Sequence, residues 1–289
     1  MIIRGFALII VAVCLSACTV NLEKDGIVLT DRALAANHVT LPDYPTKSAK
    51  LEDGARLITE NLSTDFGTLH TVRIDSGTSR PLVVFCGGNT FREENQGAKA
   101  VEVLTRLGDP LLFDYPGYGA SQGTGSRADF DAAEKVLLPR LETLGAGREV
   151  LFIGHSLGGG VCANLAAKTH LPSGLVLAAT FGRYSDIKDD LLGWFRGAVD
   201  VKPADDLIAY DAPALLKDYP GPVVVMALTE DEVIAYKVSR RLADDLRQSG
   251  RRVRFVTLTG GGHGKILGHP EFQAALTAAL KDLEAPAQP

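Results

Sequence analysis

Apolar runs and helical stretches alternate along most of this chain. The runs Leu82–Cys86, Val150–Ile153, Leu175–Ala179 and Val223–Leu228 contain no polar residue. A strand with one wet face alternates apolar and polar positions, so unbroken runs of this length predict strands buried on both faces. Leu57–Leu62 and Leu69–Ile74 read as two earlier strands joined at Asp65-Phe66-Gly67, Leu111–Tyr115 as another, and Val253–Leu258 as the last. Between them lie predicted helices at about Glu94–Leu107, Asp129–Leu144 and Val161–Thr169. A closing helix runs from about Pro270 to Leu283, with Pro270 suited to its first turn. Strands alternating with helices predict an α/β domain over residues 51–289, built on a mostly parallel central sheet with helices on both faces.

One stretch breaks the alternation. Thr180 to Tyr219 separates two strands by more than an ordinary crossover needs, and Ile187, Leu191, Leu192, Trp194 and Phe195 would give it an apolar face. A short cap over the sheet, after the sixth strand, is the reading favoured over plain packing.

The first residues follow a different pattern. Met1–Arg4 carry one positive charge, and Gly5–Ala17 form an apolar run of about 13 residues, well short of a membrane span. The run ends in Leu15-Ser16-Ala17-Cys18, which resembles a bacterial lipoprotein signal with Cys18 as the lipidated first residue; a plain signal cut near Ala17 with an incidental cysteine is the alternative. The expectation is a signal over 1–17, a polar tether over 18–50, and attachment to a membrane through Cys18. Thr19, where Asp is associated with inner-membrane retention, favours the outer membrane of a bacterial envelope, facing the periplasm. Two further cysteines remain, Cys86 and Cys162. An exported compartment permits a bond between them, yet both lie in apolar segments where buried free thiols are common, so both readings stay open.

Composition narrows the function classes. In 289 residues, 46% are hydrophobic and 22% charged, as in soluble globular proteins. A net charge of −5 without basic clusters argues against nucleic acid as a partner.

The chemistry is concentrated where Val150–Ile153 ends in Gly154-His155-Ser156-Leu157-Gly158. A strand, a sharp turn and a helix hold the serine of G-x-S-x-G out at the tip. With 30 glycines in the chain, the pattern needs partners before it carries weight. A serine hydroxyl needs an adjacent base, and the base an acid to orient it. After Val223–Leu228 three carboxylates crowd Glu230-Asp231-Glu232. Asp231 is preferred as a short acid one turn past a buried strand, with Glu230 in reserve. Of 6 histidines, only His263 and His269 follow the last strand. His263 stands in Gly260-Gly261-Gly262-His263-Gly264 and completes the chain order Ser…Asp…His, whereas His269 belongs near the closing helix. His155 is expected to face away from the serine. Gly264-Lys265 is not a phosphate loop, because Thr259 and Ile266 occupy motif positions. Backbone N–H donors for a developing oxyanion would come from Leu157 and from Asn89 in Gly87-Gly88-Asn89, Gly88 being the alternative.

With these pieces in place, Leu51–Leu283 resembles the α/β-hydrolase superfamily of serine hydrolases. The resemblance rests on Gly87-Gly88-Asn89, Asp114-Tyr115-Pro116-Gly117-Tyr118-Gly119-Ala120-Ser121, the serine motif, Asp231 and His263. Tyr115–Ser121 looks most like small-cap members related to depalmitoylases and monoacyl esterases. Two positions depart: many relatives have His-Gly before the asparagine, and the subgroup often has arginine where Pro116 stands. The resemblance implies the α/β-hydrolase fold with a cap at about 180–219. It implies hydrolysis of an ester or thioester of a small acyl substrate through an acyl-enzyme on Ser156, with neither metal nor organic cofactor. A peptidase or amidase of the same fold, or a non-catalytic lipid-anchored binding protein, are the alternatives.

Overall fold

The computed structural model describes residues 18–22, 27–187, 199–205, 208 and 210–284. In chain order the elements are β1 (Cys18–Leu22), α1 (Asp31–Ala36), β2 (Arg56–Thr64), β3 (Gly67–Asp75), β4 (Leu82–Cys86), α2 (Glu93–Leu104), β5 (Asp109–Phe113), α3 (Arg127–Gly145), β6 (Val150–His155), α4 (Gly158–Lys168) and β7 (Ser173–Ala178). They continue with β8 (Val199–Pro203), α5 (Ala212–Leu215), β9 (Val223–Leu228), α6 (Tyr236–Gln248), β10 (Val253–Leu258) and α7 (Phe272–Glu284).

Eight strands form one sheet in the order β10-β9-β7-β6-β4-β5-β3-β2. β2 and β3 pair antiparallel, β3 pairs antiparallel with β5, and the remaining neighbours are parallel. This is the mostly parallel sheet predicted above. The all-apolar strands are central and buried on both faces. Val84, Phe152, Leu177 and Val225 face a core completed by Leu137, Val161, Leu165 and Leu242. Their neighbours Val83, Ile153, Val176 and Val224 face the opposite core, closed by Val101, Leu104, Phe272 and Leu276. β2, at the edge, instead alternates half-buried and exposed residues. The last helix begins at Phe272, two residues after Pro270.

Two features differ from expectation, and one open reading closes. Residues 27–49, read as part of a tether, pack on the domain: Val28 is fully buried, α1 is capped by Thr30, and Tyr44 exchanges backbone hydrogen bonds with Asn95 and Ala98 of α2. Cys86 and Cys162 are joined by a disulfide with their Cα atoms 5.7 Å apart, so the open question about these thiols resolves toward a bond. Between β7 and β9, β8 pairs in parallel with β1 as a separate two-stranded sheet, with Cys18 opposite Val199. Of the residues assigned to a cap, Ile187 packs against the core, while Leu191, Leu192, Trp194 and Phe195 lie outside the described residues, as do residues 1–17, read above as a signal.

Candidate active site

Ser156 sits between the end of β6 and the start of α4 with φ +54, a left-handed conformation that an L-residue adopts only at a cost of about 1–3 kcal/mol. Its surroundings hold it there. The Ser156 N–H donates to Ala178 O at 3.1 Å, and Ser156 O accepts from the Gly159 N–H at 2.9 Å and the Thr180 hydroxyl at 2.6 Å. The fencing glycines answer to close approach. A Cβ on Gly154 would lie 2.4 Å from Gly158 O, and one on Gly158 would lie 2.1 Å from Cys86 O. The strand, turn and helix can converge only without side chains at these two positions.

The acid and base loops are stitched together beyond β9 and β10. Asp231 Oδ1 accepts the N–H groups of Val233 and Ile234 at 2.9 and 2.8 Å, which fixes the carboxylate. That carboxylate meets His263 Nδ1 at 2.9 Å through Oδ2 and 3.1 Å through Oδ1, its side chain only 1% exposed. Glu232 accepts the His263 N–H at 3.0 Å, and Thr229 accepts the Gly260 N–H at 2.8 Å. Asp231 and His263 are therefore in contact, and Glu230 stays exposed on the same turn. His269 is bonded to Thr259 O and to the Glu271 N–H, in the turn before α7.

His155 departs from expectation. Its ring lies 4.8 Å from that of His263, with Nε2 3.2 Å from His263 O, and Gly88 packs on its other side. Burial, reinforced by the neighbouring His263, pushes its pKa down to about 3, so the ring is neutral near pH 7. A neutral ring there buttresses His263 without competing for a proton.

Gly87–Arg92 passes close to the serine: a Cβ on Gly88 would lie 3.4 Å from Ser156 Cβ. No hydrogen bond within the described chain uses the N–H of Leu157 or of Asn89. The Asp114–Ser121 segment supports this loop: the Tyr115 hydroxyl donates to Gly87 O at 2.7 Å and the Tyr118 hydroxyl to Asn89 Oδ1 at 2.6 Å. Asp114 holds both segments, accepting the Glu93 N–H at one oxygen and the Ala120 N–H at the other, each at 2.9 Å. Desolvation pushes its carboxyl up to about 6. A carboxyl raised in the fold binds its proton more readily folded than unfolded, so it favours folding at low pH, and that contribution is lost as pH rises toward 6. Melting temperature should accordingly fall between pH 4 and 6 more steeply in the wild type than in Asp114→Asn. Parallel profiles in the two proteins would contradict this.

Among the described residues, no group of three or more His, Cys, Asp or Glu is arranged to hold a metal ion.

Residues 83–210 match the model of the Alpha/beta hydrolase family. The chain is 30% identical over 196 residues to an uncharacterized protein of Mycobacterium tuberculosis, covering 65% of this chain and 64% of that one. It is 24% identical over 226 residues to the lysophosphatidylserine lipase ABHD12 of Danio rerio, covering 71% and 59% respectively. It thus spans a little under two thirds of the length of these relatives. Among solved structures it resembles the esterase Pf2001 of Pyrococcus furiosus with TM-score 0.61 at 14% identity, covering 84% of this chain and 97% of that one. With its eight-stranded sheet and the family match running from β4 into the segment after β8, the chain has the α/β-hydrolase fold.

Proposed function

We propose that this protein is a serine hydrolase that cleaves an ester or thioester through an acyl-enzyme on Ser156. The observation that carries the reading is the buried Asp231 carboxylate seated on His263 Nδ1, in a chain whose Ser156 is held at positive φ between β6 and α4. Asp231 fixes the tautomer with the proton on Nδ1, which leaves Nε2 to accept the Ser156 proton as Oγ attacks the acyl carbonyl. The N–H groups of Leu157 and Asn89 stabilise the oxyanion. His263 then returns the proton to the leaving alcohol or thiol, and the acyl group stays on Ser156. Water attacks the acyl-enzyme, giving its proton to His263, and His263 returns that proton to Ser156 Oγ as the carboxylic acid leaves. The family match and the esterase and lipase among similar proteins support a hydrolase.

The test is turnover of a panel of acyl esters, thioesters and aminoacyl amides by wild type and Ser156→Ala. Ester or thioester turnover that falls at least ~10⁴-fold in Ser156→Ala is expected. Turnover confined to amides would favour a peptidase, and no turnover of any class would favour a binding protein.

The same reading places the protein in a bacterial envelope, lipid-anchored at Cys18 in the outer membrane and facing the periplasm. The Cys86–Cys162 disulfide supports an oxidising compartment. Mass spectrometry of the mature wild type should find an acylated Cys18 at its N-terminus, and Cys18→Ser should abolish the modification. An unmodified Cys18 in membrane-fractionated wild type would overturn the anchor.

A further inference from the structure

We infer that the chain from Ile27 to Ala36 is a working part of the active site. It holds the oxyanion loop Gly87–Arg92 in shape, with Asn89 and Arg92 as positioning residues. The catalytic consequence rests on the hydrolase reading above; the structural coupling does not.

The Asn89 side chain is spent entirely on this junction. Its Nδ2 donates to Ile27 O, while Oδ1 accepts the Leu29 N–H at 2.8 Å and the Tyr118 hydroxyl at 2.6 Å. The carboxamide thus pairs with the arm as a neighbouring strand would, using a donor and an acceptor on Ile27 and Leu29. Arg92 closes the same junction from below. Only 1% exposed, its guanidinium donates to Asp31 Oδ1 at 2.9 Å, to Asn89 O at 3.1 Å, to Phe91 O at 3.4 Å and to Leu29 O. It also stacks 3.9 Å over the Tyr118 ring. One cation therefore ties two carbonyls of the loop to a carbonyl and a carboxylate of the arm. The arm is itself fixed, by burial of Val28 and Leu29 and by the Asp31 N–H donating to Gly117 O at 2.9 Å.

Removing the arm would leave Arg92 without Asp31 and Leu29 O, and the Asn89 amide without Ile27 O and the Leu29 N–H, so the loop would rearrange to solvate them. An oxyanion donor acts only at the position where charge develops, and loss of one typically costs 10²–10³-fold in kcat. Loosening Asn89 should consequently lower kcat and leave substrate binding nearly unchanged.

The experiment compares wild type, Asn89→Ala and Asp31→Ala by two readouts: hydrogen exchange of the 87–92 amides, and kcat and KM on an ester. Arg140→Ala serves as a control, since it removes an ion pair to Glu60 far along the chain from this junction. Expected are at least ~10-fold faster exchange in Asn89→Ala, with kcat lowered at least ~30-fold and KM within about threefold. Asp31→Ala should move both readouts the same way by a smaller factor, and Arg140→Ala neither. Wild-type exchange at 87–92 in folded Asn89→Ala and Asp31→Ala overturns the inference. Faster exchange with unchanged kcat overturns the positioning role. A wild type inactive on every ester defeats the hydrolase reading, while the exchange data still decide whether the arm holds the loop.

Discussion

His263→Ala is expected to lower kcat at least ~10⁴-fold, with His269→Ala changing it by less than about tenfold. The two histidines lie six residues apart, yet the structure gives them different surroundings. His263 takes the Asp231 carboxylate on Nδ1 and packs against the His155 ring. His269 is half-buried, and its ring is bonded only to backbone groups, Thr259 O and the Glu271 N–H. An imidazole oriented by a buried carboxylate can serve as base and then as acid. One tied to Thr259 O helps shape the approach to α7, so its loss is a matter of local packing. Circular dichroism on both variants, followed by kcat on a common substrate, checks the pair. An inactive His269→Ala beside an active His263→Ala would reverse the assignment.

Removing the disulfide should have the largest effect on stability. Cys86 and Cys162 are 76 residues apart in sequence, and closing a loop of that length lowers the entropy of the unfolded chain by an amount worth about 4 kcal/mol. Both side chains are fully buried, so alanine also leaves unfilled space. The double variant Cys86→Ala/Cys162→Ala should melt on the order of 10 °C below the wild type. The bridge also joins the last residue of β4, where the Gly87–Arg92 loop begins, to the helix that follows Ser156. A melting temperature within about 2 °C of wild type would mean that the bond contributes little.

Much of the fold is legible in the sequence because the central strands are buried on both faces. β9, Val223–Leu228, reads as six apolar residues because helices cover it on either side, and all six are buried. Edge strand β2 is legible for the opposite reason, its alternation reflecting one wet face. Helix α6 is absent from the sequence reading although Val238, Leu242, Ala243 and Leu246 share a buried face between arginines and aspartates.

Other features depend on contacts that local patterning does not carry. Residues 27–49 look like a tether because they are polar and contain prolines. Their order comes from Asn89 and Arg92, about 60 positions away in sequence. The disulfide is hidden for the same reason, since apolar flanks suit a buried thiol and a buried bridge equally. At the candidate site, the Ser…Asp…His order pointed to Asp231 and His263, whose side chains the fold brings into contact, and to Ser156 in the turn between β6 and α4. The part played by His155 depends on the path of the last loop over it, which no spacing encodes.

The central claim is an activated Ser156, and labelling with a fluorophosphonate followed by peptide mass mapping tests it most directly. The account predicts one equivalent of adduct on Ser156, lost in Ser156→Ala and strongly slowed in His263→Ala. No adduct on the folded wild type, or an adduct on another residue that persists in Ser156→Ala, would contradict it.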